Sequence, residues 1–261
     1  MLHRVSRVVF IGWVGCAGVG AGWSQSAAAP AGLTAEEIVA RMVARNLARQ
    51  ALLERYTSER VYRVEYKGTG GEHRAEIEVH AEYTAPGTKR LTVVSESGSK
   101  VICEKVLRRL VASEEESSDK ANRIQTMLST ANYFVTLEGE ETVDGVRAWV
   151  LGVSPKVDNR FTYRGRVWVS EEDYGLVRVV GEPAKNPSWW INRASFETKY
   201  LRDEGFWLPE KNVSVSHVRI GGEARLTIEY GAYRVVVGSA NGHAETALVA
   251  GQAAAGSTAG R

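Results

Sequence analysis

Over most of its length this sequence alternates apolar and polar residues, with the period of two that a half-buried β-strand requires. Residues 62–66 show the pattern, since Tyr62, Val64 and Tyr66 alternate with Arg63 and Glu65. A glycine-rich turn at 68–71 follows, and the next run places Ile77, Val79 and Ala81 on one side and Glu76, Glu78, His80 and Glu82 on the other. The alternation predicts antiparallel strands joined by short turns.

The same pattern predicts about ten strands in all. Three lie before residue 96, and the second and third of these are separated by the turn Pro86-Gly87. The later connections are too short for a crossover helix, so chain neighbours should pair antiparallel, and so many strands must curl or close to limit their exposed edges. The seven later strands are predicted at 133–140, 148–155, 161–170, 175–182, 190–201, 209–219 and 224–236.

Two helical regions interrupt the strand pattern. Thr34 and Glu37 have the spacing of a capping box, and apolar residues then recur at helical spacing toward Leu53. We expect the arginines of this helix on its solvated side, with contact to lipid headgroups as the less favoured alternative. Between 101 and 130 a second helical region is predicted as two short helices or one broken helix, from the apolar residues Val101, Val106, Leu107, Leu110, Val111, Ile124, Met127 and Leu128.

These elements predict an α+β domain, mostly antiparallel β, spanning 33–237 without an internal boundary. We expect a strongly curved, unclosed β-barrel of about ten strands, with the helices covering its concave face. Some strands are apolar on both sides, as Trp149 and Leu151 are beside Ala148 and Val150. A curved sheet with helices across it can enclose an apolar pocket.

Both ends of the chain differ from this domain. Residues 1–29 are predicted to be a secretion signal, with Arg4 and Arg7 before an apolar stretch at 8–21 that is shorter than the ~20 residues of a spanning helix. This predicts export to the periplasm. An uncleaved anchor, or a lipoprotein attached through lipidated Cys16, is the alternative. Residues 238–261 are rich in glycine, alanine and serine and are predicted to be a disordered tail.

Charge and cysteine content limit the function further. Without Arg4 and Arg7 the 33 basic residues fall to 31, which equals the 31 acidic ones, so the positive field that nucleic acids select is missing. We expect no nucleic-acid partner. Once the signal is removed Cys103 is the remaining cysteine, so no internal disulfide is expected; its side chain should be buried on the second helical region.

No known catalytic motif occurs in the sequence. His80 lies among glutamates two residues apart, but that spacing and the lack of a second histidine favour a solvated strand face over a metal site. His217 lies on a predicted strand and belongs to no recognised motif of nucleophile and base. We therefore predict a non-enzymatic protein without a cofactor or metal, and a hydrolase hidden in the cleft is the least favoured alternative. Trp189 and Trp190 point to opposite faces of a strand and cannot form one aromatic surface. We therefore favour packing of both in a two-sided core over a role for one of them in lining a ligand site.

The order of the predicted elements and four short sequence segments resemble the periplasmic lipoprotein carriers, the LolA-like group that includes lipoprotein-sorting proteins and envelope-stress regulators. The segments are Gly165-Arg-Val-Trp-Val-Ser-Glu-Glu-Asp-Tyr, Gly181-Glu-Pro-Ala-Lys-Asn-Pro-Ser-Trp-Trp, Gly205-Phe-Trp-Leu-Pro and Leu226-Thr-Ile-Glu-Tyr. The resemblance covers about residues 33–237. It implies an unclosed barrel capped by helices around an apolar cavity that shelters acyl chains.

On this basis we expect a monomeric envelope carrier that binds the acyl chains of lipoproteins or lipids. The alternative is a sensor of the same fold, in which a bound lipid or peptide regulates an envelope membrane-protein partner. No ligand-binding residue of the resembled group can be matched, so the cavity residues are predicted from face assignment alone. They are Tyr62, Val64, Tyr66, Ile77, Val79, Leu107, Leu110, Met127, Phe134, Trp168, Trp190 and Phe196.

Overall fold

The computed structural model describes residues 32–117, 127–159, 161–186, 191–219 and 221–238. Helix α1 is Ala35–Leu52, and a second helix consists of α2 (Lys100–Ile102), a π-helical turn (Cys103–Leu107) and α3 (Arg108–Ser117). The strands are β1 (Leu53–Gly68), β2 (Gly71–Thr84), β3 (Thr88–Gly98), β4 (Tyr133–Val143), β5 (Val146–Pro155), β6 (Tyr163–Ser170), β7 (Leu176–Pro183), β8 (Ile191–Asp203), β9 (Phe206–Val218), β10 (Gly222–Tyr230) and β11 (Arg234–Val237).

All the strands belong to one curved, unclosed antiparallel sheet of 11 strands in the order β3-β2-β1-β10-β9-β8-β7-β6-β5-β4. The predicted pairing of chain neighbours is confirmed for the hairpins within β1–β3 and within β4–β10. The pairing of β1 with β10 joins these two groups and leaves β3 and β4 at the edges of the sheet. The predicted last strand, 224–236, is interrupted at residues 231–233, so its end forms β11, which pairs with the start of β1.

Helix α1 begins at the predicted capping box. The backbone N–H of Glu37 donates to Thr34 Oγ1 at 3.2 Å, and the backbone N–H of Thr34 donates to Glu37 Oε2 at 2.9 Å. These bonds satisfy N–H groups that the first helical turn leaves without partners. The first half of the helix then packs onto one face of β4–β7, with Ala35, Ile38, Val39 and Met42 buried against Tyr133, Leu151, Val153, Val167, Val169 and Val179.

The second helix covers the other end of the sheet. It buries Cys103, Leu107 and Val111 against a cluster on β1, β2, β3 and β10 that contains Tyr62, Val64, Ala75, Ile77, Val79, Ala81, Leu91 and Ile228. Helix was predicted over 101–130; it is present over 100–117, whereas residues 127–130 form bends and a turn. Among the described residues, no helix combines the length and the apolar character needed to cross a membrane.

The opposite face of β5–β7 carries a smaller cluster of Ala148, Val150, Trp168 and Val177. The two-sided burial predicted for strands 148–155 and 161–170 is therefore confirmed, because neighbouring residues of β6 such as Val167 and Trp168 are buried on opposite faces. The predictions for the secretion signal, for Cys16, for Trp189 and Trp190, and for all but the first residue of the tail fall outside the described residues.

Candidate functional site

A cavity of about 510 Å³ lies between the second half of α1 and the sheet. Its volume falls within the range of small-molecule sites, roughly 300–1,000 Å³. The apolar and aromatic residues that line it come from α1, from both groups of hairpins and from the segment before β4. They are Met42, Val43, Leu47, Leu53, Tyr56, Tyr83, Met127, Leu128, Leu176, Tyr200, Phe206, Trp207 and Leu208.

Tyrosines build much of the sheet side of this cavity. The rings of Tyr56 and Tyr83 stack with their centroids 5.1 Å apart, and Tyr233 meets Tyr56 edge-on at 5.5 Å. The hydroxyl of Tyr233 donates to the carbonyl of Pro209 at 2.7 Å. Burial raises the pKa of Tyr200 to about 12, so this wall stays neutral at physiological pH.

Polar groups on the α1 side are paired with each other. Arg49 Nη2 lies 2.9 Å from Asp173 Oδ2, and Trp207 Nε1 donates to the same carboxylate at 3.0 Å. Burial alone would raise the pKa of Asp173, but the hydrogen bonds from Trp207 and from the backbone of Gly175, together with the charge of Arg49, lower it below its ordinary value. These contacts connect α1 to the turn before β7.

A second polar group lies where β1 and β3 meet the end of the second helix. Glu114 accepts hydrogen bonds from Arg60 at 2.6 Å, from Tyr62 at 2.6 Å and from Lys89 at 2.7 Å. Arg60 is 2% exposed, and its guanidinium lies over the ring of Tyr230, 4.8 Å from the centroid. Burial would raise the pKa of Glu114, but Lys89 and Arg60 lower it to about 2, so the carboxylate remains charged.

The lining of the cavity carries no acidic residue within the part of the chain that the structure describes. Its charged members are Arg49 and Lys89, and its neutral polar side chains include Asn46 and Gln50. An apolar hollow with a few polar groups at its margin is the usual form of a ligand site, in which the apolar wall supplies affinity and the polar groups orient the ligand. The bias toward positive charge favours an anionic ligand group.

The residues predicted from sequence to line a cavity are distributed over several places. Met127 lines the cavity, and Phe196 packs at the margin of the α1 cluster. Others form the interior beneath the second helix or pack against it: Tyr62, Val64, Ile77, Val79, Leu107 and Leu110. Trp168 belongs to the cluster on the opposite face, and Phe134 is 64% exposed. The hydroxyl of Tyr66 donates to the carbonyl of Gly221, away from the cavity lining. Trp190 falls outside the described residues.

Sequence reasoning missed most of the lining because these residues stand at strand ends and beside turns. Tyr83 continues the period of Ile77 and Val79 by two steps, so extending the alternation to the end of β2 would have found it. Phe206 and Leu208 begin β9 directly after a turn, and their partner across the cavity is α1, which ends at Leu52, far earlier in the chain. No local pattern indicates that partner.

The other candidate chemical groups have structural partners. His80 Nδ1 lies 2.6 Å from Glu59 Oε1 on a partly exposed strand face, as predicted. Cys103 is buried, also as predicted, and its thiol donates to the carbonyl of Ser97 at 3.5 Å. Burial raises the pKa of Cys103, which disfavours the reactive thiolate. Within the described ranges, no group of three or more His, Cys, Asp or Glu residues could hold a metal ion.

Neither a protein-family model nor a curated protein sequence matches this chain. Solved structures do. A DUF1329 family protein from Desulfovibrio piger has 16% identity and a TM-score of 0.38, covering 79% of this chain and 95% of its own. A proposed outer membrane lipoprotein-sorting protein domain from Vibrio parahaemolyticus has 13% identity and a TM-score of 0.39, covering 79% and 94%.

A LolA superfamily protein from Nitrosomonas europaea has 11% identity and a TM-score of 0.34, covering 78% of this chain and 94% of its own. The structural neighbours are of the kind that the sequence resemblance named. At these identities and TM-scores, no function and no residue role is carried over to this chain.

Proposed function

We propose that this protein is a non-enzymatic binder of lipid acyl chains that works as a carrier in the cell envelope. The observation that supports this most is the cavity of about 510 Å³ between α1 and the sheet, with its largely apolar and aromatic lining. Hydrocarbon that enters such a cavity leaves water, and each buried methylene contributes about 0.8 kcal/mol before ordering and desolvation costs are subtracted. A carrier needs no catalytic group for this.

The way α1 is held is consistent with uptake and release. Its first half is fixed by buried Ile38 and Val39, whereas Leu47 in its second half is 53% exposed beside the cavity. A helix that is anchored at one end and loosely packed at the other can open at modest cost. We infer that the helix-covered face is the concave side of the sheet and that ligands enter beneath the second half of α1.

The proposed location follows from the secretion-signal pattern at residues 1–29, which directs the mature protein to the periplasm. The acyl chains would then come from envelope lipids or lipoproteins, and an envelope membrane protein would be a natural donor or acceptor. Attachment through lipidated Cys16 would keep the same domain at a membrane surface.

Two measurements test the proposal. The protein purified from its own host is extracted, and the extract is analysed for lipid by mass spectrometry; we expect lipid in near-stoichiometric amount. Transfer of a fluorescent lipid between donor and acceptor vesicles is then measured with the wild type and with Val43→Trp, which fills the cavity, beside Ala44→Trp on the exposed side of α1 as control. The carrier function requires faster transfer with the wild type and the control than with Val43→Trp.

Two results would contradict it. Lipid-free protein that also fails to accelerate transfer would show that the cavity does not bind acyl chains. Tight lipid binding without any transfer would favour a sensor that reports lipid to a protein partner, with the same cavity in a different role.

A further inference from the structure

One wall of the cavity contains a buried hydroxyl that has no partner. Tyr83 is 8% exposed, and its hydroxyl makes no hydrogen bond to any residue that the structure describes. Its ring lines the cavity and stacks on Tyr56. Buried polar groups are nearly always paired because an unpaired one loses its bonds to water without compensation. A hydroxyl at such a position is free to donate to a ligand atom in the cavity.

A cation of the cavity lining belongs to the residue paired with Tyr83. Lys89 is the residue directly opposite Tyr83 in the antiparallel pairing of β2 with β3, so the two side chains leave the same face as close neighbours. Lys89 also lines the cavity. One of its three N–H donors goes to Glu114 at 2.7 Å, which leaves donors for a ligand. Arg49, the other cation of the lining, is already bound to Asp173.

The size of the cavity limits how much hydrocarbon can follow the polar group. The cavity volume of about 510 Å³ lies within the range of sites that hold one small molecule, roughly 300–1,000 Å³. A site of this size suits one long acyl chain. The two chains of a phospholipid, or the three of a mature bacterial lipoprotein, would need two to three times that volume.

We propose that the preferred ligand is a single-chain fatty acid, whose carboxylate is bound by the hydroxyl of Tyr83 and the ammonium of Lys89 while its chain fills the cavity beneath α1. The hydroxyl donates to one carboxylate oxygen and the ammonium to the other. This inference rests on the proposed acyl-chain binding and adds the headgroup, the chain number and the residues that select them.

The test compares three probes on the full chain by calorimetry or fluorescence competition: palmitic acid, its methyl ester, and vesicles of a two-chain phosphatidylglycerol. Palmitate should bind roughly ten- to a hundredfold more tightly than the ester, since a hydrogen bond to a charged group contributes that much. Tyr83→Phe and Lys89→Gln should each weaken palmitate binding by about tenfold or more. They should weaken binding of the ester much less, because its neutral carbonyl accepts a weaker hydrogen bond and carries no charge for the ammonium. Tyr66→Phe and Lys67→Gln, at the far end of the first hairpin, serve as controls.

Tyr83→Phe also separates a binding role from a structural one. Because its hydroxyl has no partner among the described residues, removing it should leave the stability of the ligand-free protein unchanged or slightly higher. A marked loss of stability would show that the hydroxyl supports the fold, and would overturn the assignment.

The remaining outcomes separate a failure of the carboxylate site from a failure of the proposed acyl-chain binding. Equal affinity for palmitate and its methyl ester, or unchanged palmitate affinity in Tyr83→Phe, overturns the carboxylate site while acyl-chain binding stands. Tighter binding of the two-chain lipid overturns the single-chain ligand. If none of the three probes binds, the proposed function itself fails.

Discussion

Glu114 shows at the residue scale how a buried charge can be tolerated. Its side chain projects from the second helix toward the sheet, where losing water is costly, yet Arg60, Lys89 and Tyr62 supply three hydrogen bonds at 2.6–2.7 Å. Arg60 in turn depends on Glu114, because a guanidinium that is 2% exposed has little access to water. These contacts connect the end of the second helix to β1 and β3, next to the cavity.

This arrangement predicts acid sensitivity. The pKa of Glu114 is lowered to about 2 in the folded protein, below its ordinary value of 4.5, so the charged group stabilises the fold at neutral pH. That contribution, on the order of 3 kcal/mol, is lost as the pH falls from about 5 toward 2. Glu114→Gln should therefore be less stable than the wild type at pH 7, and its free energy of unfolding should fall less between pH 6 and pH 3.

Urea unfolding at a series of pH values measures this. Glu72→Gln, an exposed carboxylate on the first hairpin, is the matched control and should follow the wild type. Asp173, whose pKa is also lowered, keeps some acid sensitivity in the Glu114 variant. Parallel pH profiles for the wild type and Glu114→Gln would show that Glu114 is not the source of the acid sensitivity.

At the scale of the element, α1 has two halves with different roles. Its first half is part of the core, with Ile38 and Val39 fully buried, whereas Leu47 and Gln50 in its second half face the cavity. The sequence predicted the helix well, because the capping box and the apolar period are local signals. The sequence could not show that the two halves of α1 have different roles. Both halves carry the same spacing of apolar residues, and they differ only in the part of the sheet that they face.

The two halves should respond differently to truncation. Ile38→Ala leaves a void in a packed cluster and should cost about 2–5 kcal/mol of stability. Leu47→Ala, at a position 53% exposed, should change stability by less than about 0.5 kcal/mol but weaken acyl-chain binding severalfold. Denaturant unfolding and ligand titration of both variants check this. Equal stability losses, or undiminished binding in Leu47→Ala, would contradict the division.

At the scale of the whole molecule, local alternation predicted the strands but not the assembly. The alternation of apolar and polar residues shows which face of the sheet a residue occupies. A short turn shows that the strands on its two sides pair with each other, so the hairpins could be predicted. The pairing of β1 with β10 joins residues such as Tyr62 and Ile228, which no turn connects. The cavity depends on this pairing, because it places Tyr56 of β1 near Phe206 and Leu208 of β9.

Because the cavity is built from both halves of the sheet, its ligand should stabilise the entire domain. At a free concentration of one hundred times Kd, a ligand specific for the folded state adds about 2.7 kcal/mol. For a domain of this size that corresponds to a rise in Tm of roughly 5–10 °C. Thermal unfolding followed by circular dichroism with and without palmitate measures the shift, and an unchanged Tm at saturation would count against binding inside the fold.

The proposed function places an acyl chain between the second half of α1 and the sheet. Photocrosslinking with a long-chain fatty acid that carries a diazirine in its tail, followed by peptide mapping, locates the bound chain in the fold. We expect adducts on the lining of the cavity that excess palmitate suppresses, at residues such as Met42, Leu47, Phe206 and Leu208. Adducts confined to the opposite face around Trp168, or adducts that palmitate does not suppress, would contradict it.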